Sequence, residues 1–83
     1  MNTQRAKVVI IPDVALLKDF MEEYQDMMRE AQQGVKRVMA LNPHSEKFWD
    51  ELTDVATKIS LLGSRSETLW EEIIRLIDEL PDD

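Results

Sequence analysis

Leu17-Lys18-Asp19-Phe20-Met21-Glu22-Glu23-Tyr24-Gln25-Asp26-Met27-Met28-Arg29-Glu30-Ala31 is the stretch on which the fold of this chain turns. Leu17, Met21, Tyr24, Met28 and Ala31 recur at alternating steps of four and three, and the rhythm continues to Val35 and Val38. That alternation keeps apolar side chains on one side of an α-helix and is the pattern of a heptad seam. Phe20, Met27 and Leu41 widen the stripe. Upstream, Pro12 and Asp13 suit a helix start, because the missing proline N–H is no loss there and an acid complements the helix dipole. Downstream, Lys36 and Arg37 favour the C-terminal end and Asn42-Pro43 stops the helix. The reading is a helix over 13–41, about 43 Å long at roughly 1.5 Å per residue. Gly34 inside it is compatible with a bend, a close helix crossing or a break, and the sequence leaves the three open.

Working outward, Ser45 is an N-cap for a second helix over 45–62, whose face is Phe48, Trp49, Leu52, Val55, Ala56, Ile59 and Leu62. Gly63 reads as its C-terminal stop. Ser64-Arg65-Ser66-Glu67 has capping-box spacing and opens a third helix over 65–80, with Leu69, Trp70, Ile73, Ile74, Ile77 and Leu80 on its face before Pro81. On the N-terminal side, Lys7-Val8-Val9-Ile10-Ile11 is β-branched, and Pro12 keeps Ile11 out of helical angles, so residues 1–12 read as a short extended arm. The expected fold is all-α: one domain over 1–83, a three-helix bundle or extended helical hairpin with one long helix and two shorter ones. Ser45-Glu46-Lys47-Phe48-Trp49-Asp50-Glu51-Leu52 recurs as Ser66-Glu67-Thr68-Leu69-Trp70-Glu71-Glu72-Ile73, which suggests equivalent packing roles for the two shorter helices. Two copies do not make a repeat protein.

With 83 residues, no cysteine and one histidine, the chain has no disulfide, no thiolate metal site and no histidine pair for a di-iron centre. The run Val8–Ile11 is too short for a signal peptide, and no stretch approaches the roughly 20 apolar residues of a membrane span. The expected compartment is the cytoplasm. The net charge of −7 is unevenly placed: residues 1–41 balance, and the whole excess of acid lies in 42–83. A field of that sign repels phosphate, which argues against direct binding of nucleic acid or of an anionic membrane.

Few residues invite chemistry. His44 sits in the turn between Pro43 and Ser45 with no nucleophile or acid placed beside it by any motif. Glu22, Asp26 and Glu30 line a helical face at four-residue steps, a spacing that can hold a divalent cation, but Lys18 and Arg29 accompany them as on an ordinary ion-paired surface. Glu71, Glu72 and Arg75 read the same way. Residues 59–69 have the turn glycine of a helix-turn-helix, yet the would-be reading helix presents Glu67, Glu71 and Glu72 to phosphate. A ribbon-helix-helix arm would alternate polar and apolar residues, and Val8–Ile11 does not. No catalytic, cofactor-binding or metal-binding residue is therefore expected, and no cofactor.

The expectation for function comes from packing. Helices of about 18 and 15 residues are too short to cover a 43 Å partner, which leaves the seam from Leu17 to Met28 exposed. Met21, Met27, Met28 and Met39 add the adaptable side chains common on binding surfaces. The chain is thus expected to be a non-enzymatic protein–protein interaction module, a small adaptor, chaperone-like or assembly subunit. It would form a homodimer, or bind a protein partner, through Leu17, Phe20, Met21, Tyr24, Met27 and Met28. The alternative is an acidic decoy whose C-terminal half engages a basic nucleic-acid-binding protein.

Overall fold

The computed structural model describes residues 12–80. The expected arm lies, apart from Pro12, outside them. They form two antiparallel helices, α1 (Ala15–Met39) and α2 (Glu46–Asp78), so the all-α class stands and the architecture is a helical hairpin rather than a three-helix bundle. The expected second and third helices are one helix of 33 residues. Gly63 does not stop it, and no residue described takes the left-handed backbone of a glycine terminus. The serines read as a capping box behave as residues inside a helix. Ser66 Oγ donates back to the Leu62 carbonyl at 2.8 Å, and Thr68 Oγ1 donates to the Ser64 carbonyl at 3.2 Å. Continuity has a simple cause. Trp49 and Trp70 are three heptads apart, so the apolar faces of the two halves remain in phase and a break at Gly63 would separate faces that already align.

The turn between the helices is tightly bonded. The Asn42 side chain accepts the His44 N–H at 2.9 Å, and the Asn42 carbonyl accepts both the Ser45 N–H at 2.9 Å and the Ser45 hydroxyl at 2.7 Å. Ser45 then caps α2 by accepting the Phe48 N–H at 3.2 Å. At the other terminus the Asp13 carboxylate accepts the Ala15 N–H at 3.0 Å. The acid expected to open the first helix thus does so from two residues outside it.

The seam that joins the helices is not the stripe read from the sequence. In α1 the side chains turned inward are Leu17, Phe20, Tyr24, Met27, Ala31, Gly34, Val38 and, just beyond the helix, Leu41, while Met21, Met28 and Val35 are exposed. The alternation of three and four is the same, but its phase is set by Phe20, Met27 and Leu41, the residues read as widening the stripe. In α2 the seam alternates chemically. Phe48, Val55, Leu62, Leu69 and Leu76 are apolar and seven residues apart. Between them come Glu51, Lys58, Arg65 and Glu72, also seven apart. Arg37 Nε meets Glu51 at 3.1 Å and Arg65 meets Glu23 at 3.5 Å across the seam, whereas Lys58 pairs with Asp54 and Glu72 with Arg75 along α2 itself. With charge on every second rung, the buried core is thin: its apolar members are Ala31, Val38, Val55 and Leu76.

Gly34 makes the closest approach. A Cβ built on it would stand 2.7 Å from Val55 Cγ2, so the glycine marks a helix crossing, and α1 runs through it unbroken. Because α2 is continuous, it also spans the whole of α1. At the open end of the hairpin Pro12, Val14 and Leu17 share an apolar groove of about 280 Å³ with Ile73, Leu76, Ile77 and Leu80. The expected shortage of covering length therefore does not arise.

Candidate interaction face

What remains uncovered is a flank. In α1, Met21, Met28, Val35 and Met39 each follow a seam residue by one position, interleaved with the polar Lys18, Gln25 and Gln32. In α2 a second stripe does the same: Trp49, Leu52, Ala56, Ile59, Gly63, Ser66, Trp70, Ile73, Ile77 and Leu80 keep the alternation of three and four over the length of the helix. A residue one position after the seam is rotated by the same sense and amount on each helix. The helices run in opposite directions, so equal rotations bring both flanks to the same side of the pair. The hairpin therefore has an apolar side built from both helices. Its large members are well exposed: Trp70 is 63 % exposed, Trp49 57 %, Ile77 54 % and Ile59 52 %.

Several of these side chains are held in place. The Trp49 indole donates to the Pro43 carbonyl at 2.9 Å and stands edge-on to Phe48, with ring centroids 5.0 Å apart. The hydroxyls of Tyr24 and Ser66 lie 2.6 Å apart and tie α1 to α2 at the level of the stripe. Ordered aromatic side chains lose little conformational freedom on association, which favours binding.

The opposite side is mainly polar, with Leu16 and Leu61 as its exposed large apolar residues. Asp19, Glu23, Asp26 and Glu30 of α1 lie there with Asp50, Asp54, Glu71 and Asp78 of α2, against the bases Arg37, Lys47 and Arg75. The acidic surface thus draws on both helices, although by sequence the first 41 residues balance. Of the bases that cancel the acids of α1 in that count, Arg29 and Lys36 lie along its outer edge and Lys18 on the flank next to Leu17.

Of the six residues expected at an interface, Leu17, Phe20, Tyr24 and Met27 are half-buried in the seam with α2, and Met21 and Met28 are exposed on the apolar side. Trp49, Leu52, Ile59, Trp70 and Ile77 were not among them. The signal that finds them is the recurrence of Ser-Glu-x-x-Trp at 45 and 66, read as one helix in phase instead of two helices in parallel roles. Elsewhere, Glu22, Asp26 and Glu30 are exposed, with Asp26 3.0 Å from Arg29, and His44 is exposed in the turn. Among the described residues no cluster of three His, Cys, Asp or Glu side chains is placed to hold a metal ion, and no helix is long and apolar enough to cross a membrane. Two ionisable groups, Glu72 and Arg75, are perturbed. The Glu72 carboxyl is held below its ordinary range by hydrogen bonds from Arg75, against a smaller opposing effect of burial, and the same pairing raises Arg75.

Comparison with protein-family models, with curated proteins and with solved structures finds no match to this chain.

Proposed function

We propose that this chain is a non-enzymatic protein–protein interaction module, of the adaptor, chaperone-like or assembly-subunit kind, and that it associates through the apolar side of the hairpin. The observation that carries the reading is the concentration of exposed apolar residues on one side, with Leu16 and Leu61 the exposed large apolar residues on the other. Scattered apolar side chains are normal on any surface, but a continuous patch backed by a charged side marks a binding surface. Tryptophans and methionines are enriched in such patches. Helices offered side by side form a groove that suits the apolar stripe of a further helix.

The test is capture from the native host with a tagged chain, read by mass spectrometry beside Met21→Glu and Trp70→Glu. Both substitutions fall on exposed positions, so the hairpin itself remains folded, which circular dichroism verifies. The expected result is a bound polypeptide, either an untagged copy of this chain or another protein, that both variants lose. Equal capture by wild type and both variants refutes the reading.

A second reading rests on the polar side, where acids from both helices converge. There the chain would act as an acidic decoy for a basic, nucleic-acid-binding protein. Its signature is salt dependence: binding that weakens steeply between low and physiological salt supports it, and affinity indifferent to salt removes it.

A further inference from the structure

We infer that the occupant of the apolar side is a second copy of this chain, packed with α2 antiparallel to α2 about a two-fold axis near Gly63, so that two hairpins close into a four-helix bundle. The inference rests on the interaction reading above and names its partner. Three observations point to it.

The first is the pattern of large and small residues. In a two-fold contact each residue meets a mate at an equal distance on the other side of the axis. With the axis at Gly63, Trp70 falls opposite Ala56 of the second copy, Trp49 opposite Ile77, and Ile59 at the level of Glu67, with the small Ser66 beside it on the stripe. Bulky side chains meet small ones where the axis is near, and apolar meets apolar towards the ends. Gly63 itself has nothing within 4 Å of a Cβ position inside the hairpin, so its own chain gives no reason for a glycine in the middle of a long helix. A second backbone crossing at that point does. The neighbouring pairs Gly34–Val55 and Tyr24–Ser66 place Met28 within about two residues, or ~3 Å, of the same level. One axis therefore also brings Met28 next to Met28.

The second is area. Exposed large apolar side chains from both helices, Met21, Met28, Trp49, Ile59, Trp70 and Ile77, lie on this side, where a standard-size interface takes about 800 Å² from each partner.

The third is charge. Two chains of net charge −7 repel each other wherever their acids come close. The α2 stripe from Trp49 to Leu80 contains no charged residue, and the acids on the polar side are held away by a helix thickness of about 10 Å on each copy. The resulting separation exceeds the screening length of about 8 Å at physiological ionic strength, so the repulsion is largely screened. An interface on the polar side would have no such protection.

The test uses the full chain, which has no native cysteine. Light scattering is expected to give about twice the monomer mass of 9.7 kDa. Spin labels are then placed at Ser64→Cys and, in a separate sample, at Asp78→Cys, both on the outer surface of α2. About a crossing at residue 63, labels at 64 lie only about 3 Å apart along the helix axis and labels at 78 about 45 Å apart. The intermolecular distance measured by pulsed electron resonance is therefore much longer for Asp78→Cys. Gly63→Leu is expected to weaken dimerisation at least tenfold with unchanged helix content. A monomer at 100 μM, equal label distances at the two sites, or undiminished dimerisation of Gly63→Leu each overturns the inference. A monomeric result leaves the interaction reading to be decided by the capture experiment, which detects a different partner independently.

Discussion

Gly34 and Gly63 are the only glycines of the chain, both lie inside helices, and they differ in what surrounds them. At Gly34 an added methyl group would meet Val55 Cγ2 at 2.7 Å, and Val55 is a stiff, β-branched, buried side chain. Alanine gains about 1 kcal/mol of helix propensity over glycine, whereas forcing a methyl into a packed contact costs about 1–3 kcal/mol. Gly34→Ala is therefore expected to lower stability by about 1 kcal/mol net, read as a shift of the urea midpoint. Adding Val55→Ala removes the clash, so the double variant is expected to lose less than the two single changes together. A more stable Gly34→Ala would show that Val55 yields freely. Sequence alone left Gly34 open among bend, crossing and break because all three need the same residue, and only the position of Val55 on the other helix decides.

At the scale of the element, the end of α2 is organised by Arg75. Its guanidinium holds Glu72 at 2.7 Å one turn before it and also bonds Glu79 one turn after it. Glu72 is buried in the seam, and its carboxyl titrates below the ordinary 4.5. A carboxyl with a depressed value in the fold contributes stability that is complete above the ordinary value and is lost as the pH falls through the depressed one. Thermal unfolding of wild type and Glu72→Gln between pH 7 and pH 3 checks this. The gap in favour of wild type is expected to narrow on acidification, and a gap constant with pH would mean that the charge of Glu72 is not what matters. The two helices were largely legible: caps at Ser45 and Asp13, the stop at Asn42-Pro43, and the heptad rhythm of α1 all appear in the residues. Two things were not. Gly63 and the Ser64–Glu67 capping pattern look locally like a terminus, and the in-phase faces on either side of them outweigh that local preference. The seam of α1 could be drawn through Met21 and Met28 or through Phe20 and Met27 with equal periodicity, and the choice belongs to the partner helix.

For the whole molecule, a thin core and a broad apolar side carry a joint consequence. The hairpin buries few side chains fully, so by itself it is marginal, and association that buries the apolar side adds to the stability of the folded state. The thermal midpoint is therefore expected to rise with protein concentration over a hundredfold range, and Trp70→Glu is expected to abolish that dependence. A midpoint independent of concentration in both would mean that the hairpin is stable alone. The apolar side was legible as a surplus of oily residues, but its composition was not. It is made of residues 21–39 and 49–80, and their adjacency follows from the antiparallel pairing of helices distant in sequence.

The charged rungs of α2 bear on how the hairpin finds its alignment. Individually such partly exposed pairs contribute little, about 0–1 kcal/mol. A uniformly oily heptad seam, however, matches itself equally well after a slip of seven residues. Here Arg37 opposite Glu51 and Glu23 opposite Arg65 act as keyed teeth: moved one heptad further along α2, Arg37 would confront Lys58 and Glu23 would confront Glu72. A slip in that direction is thereby penalised by like charges, and so is an exchange of α1 between neighbouring molecules in the same shifted frame.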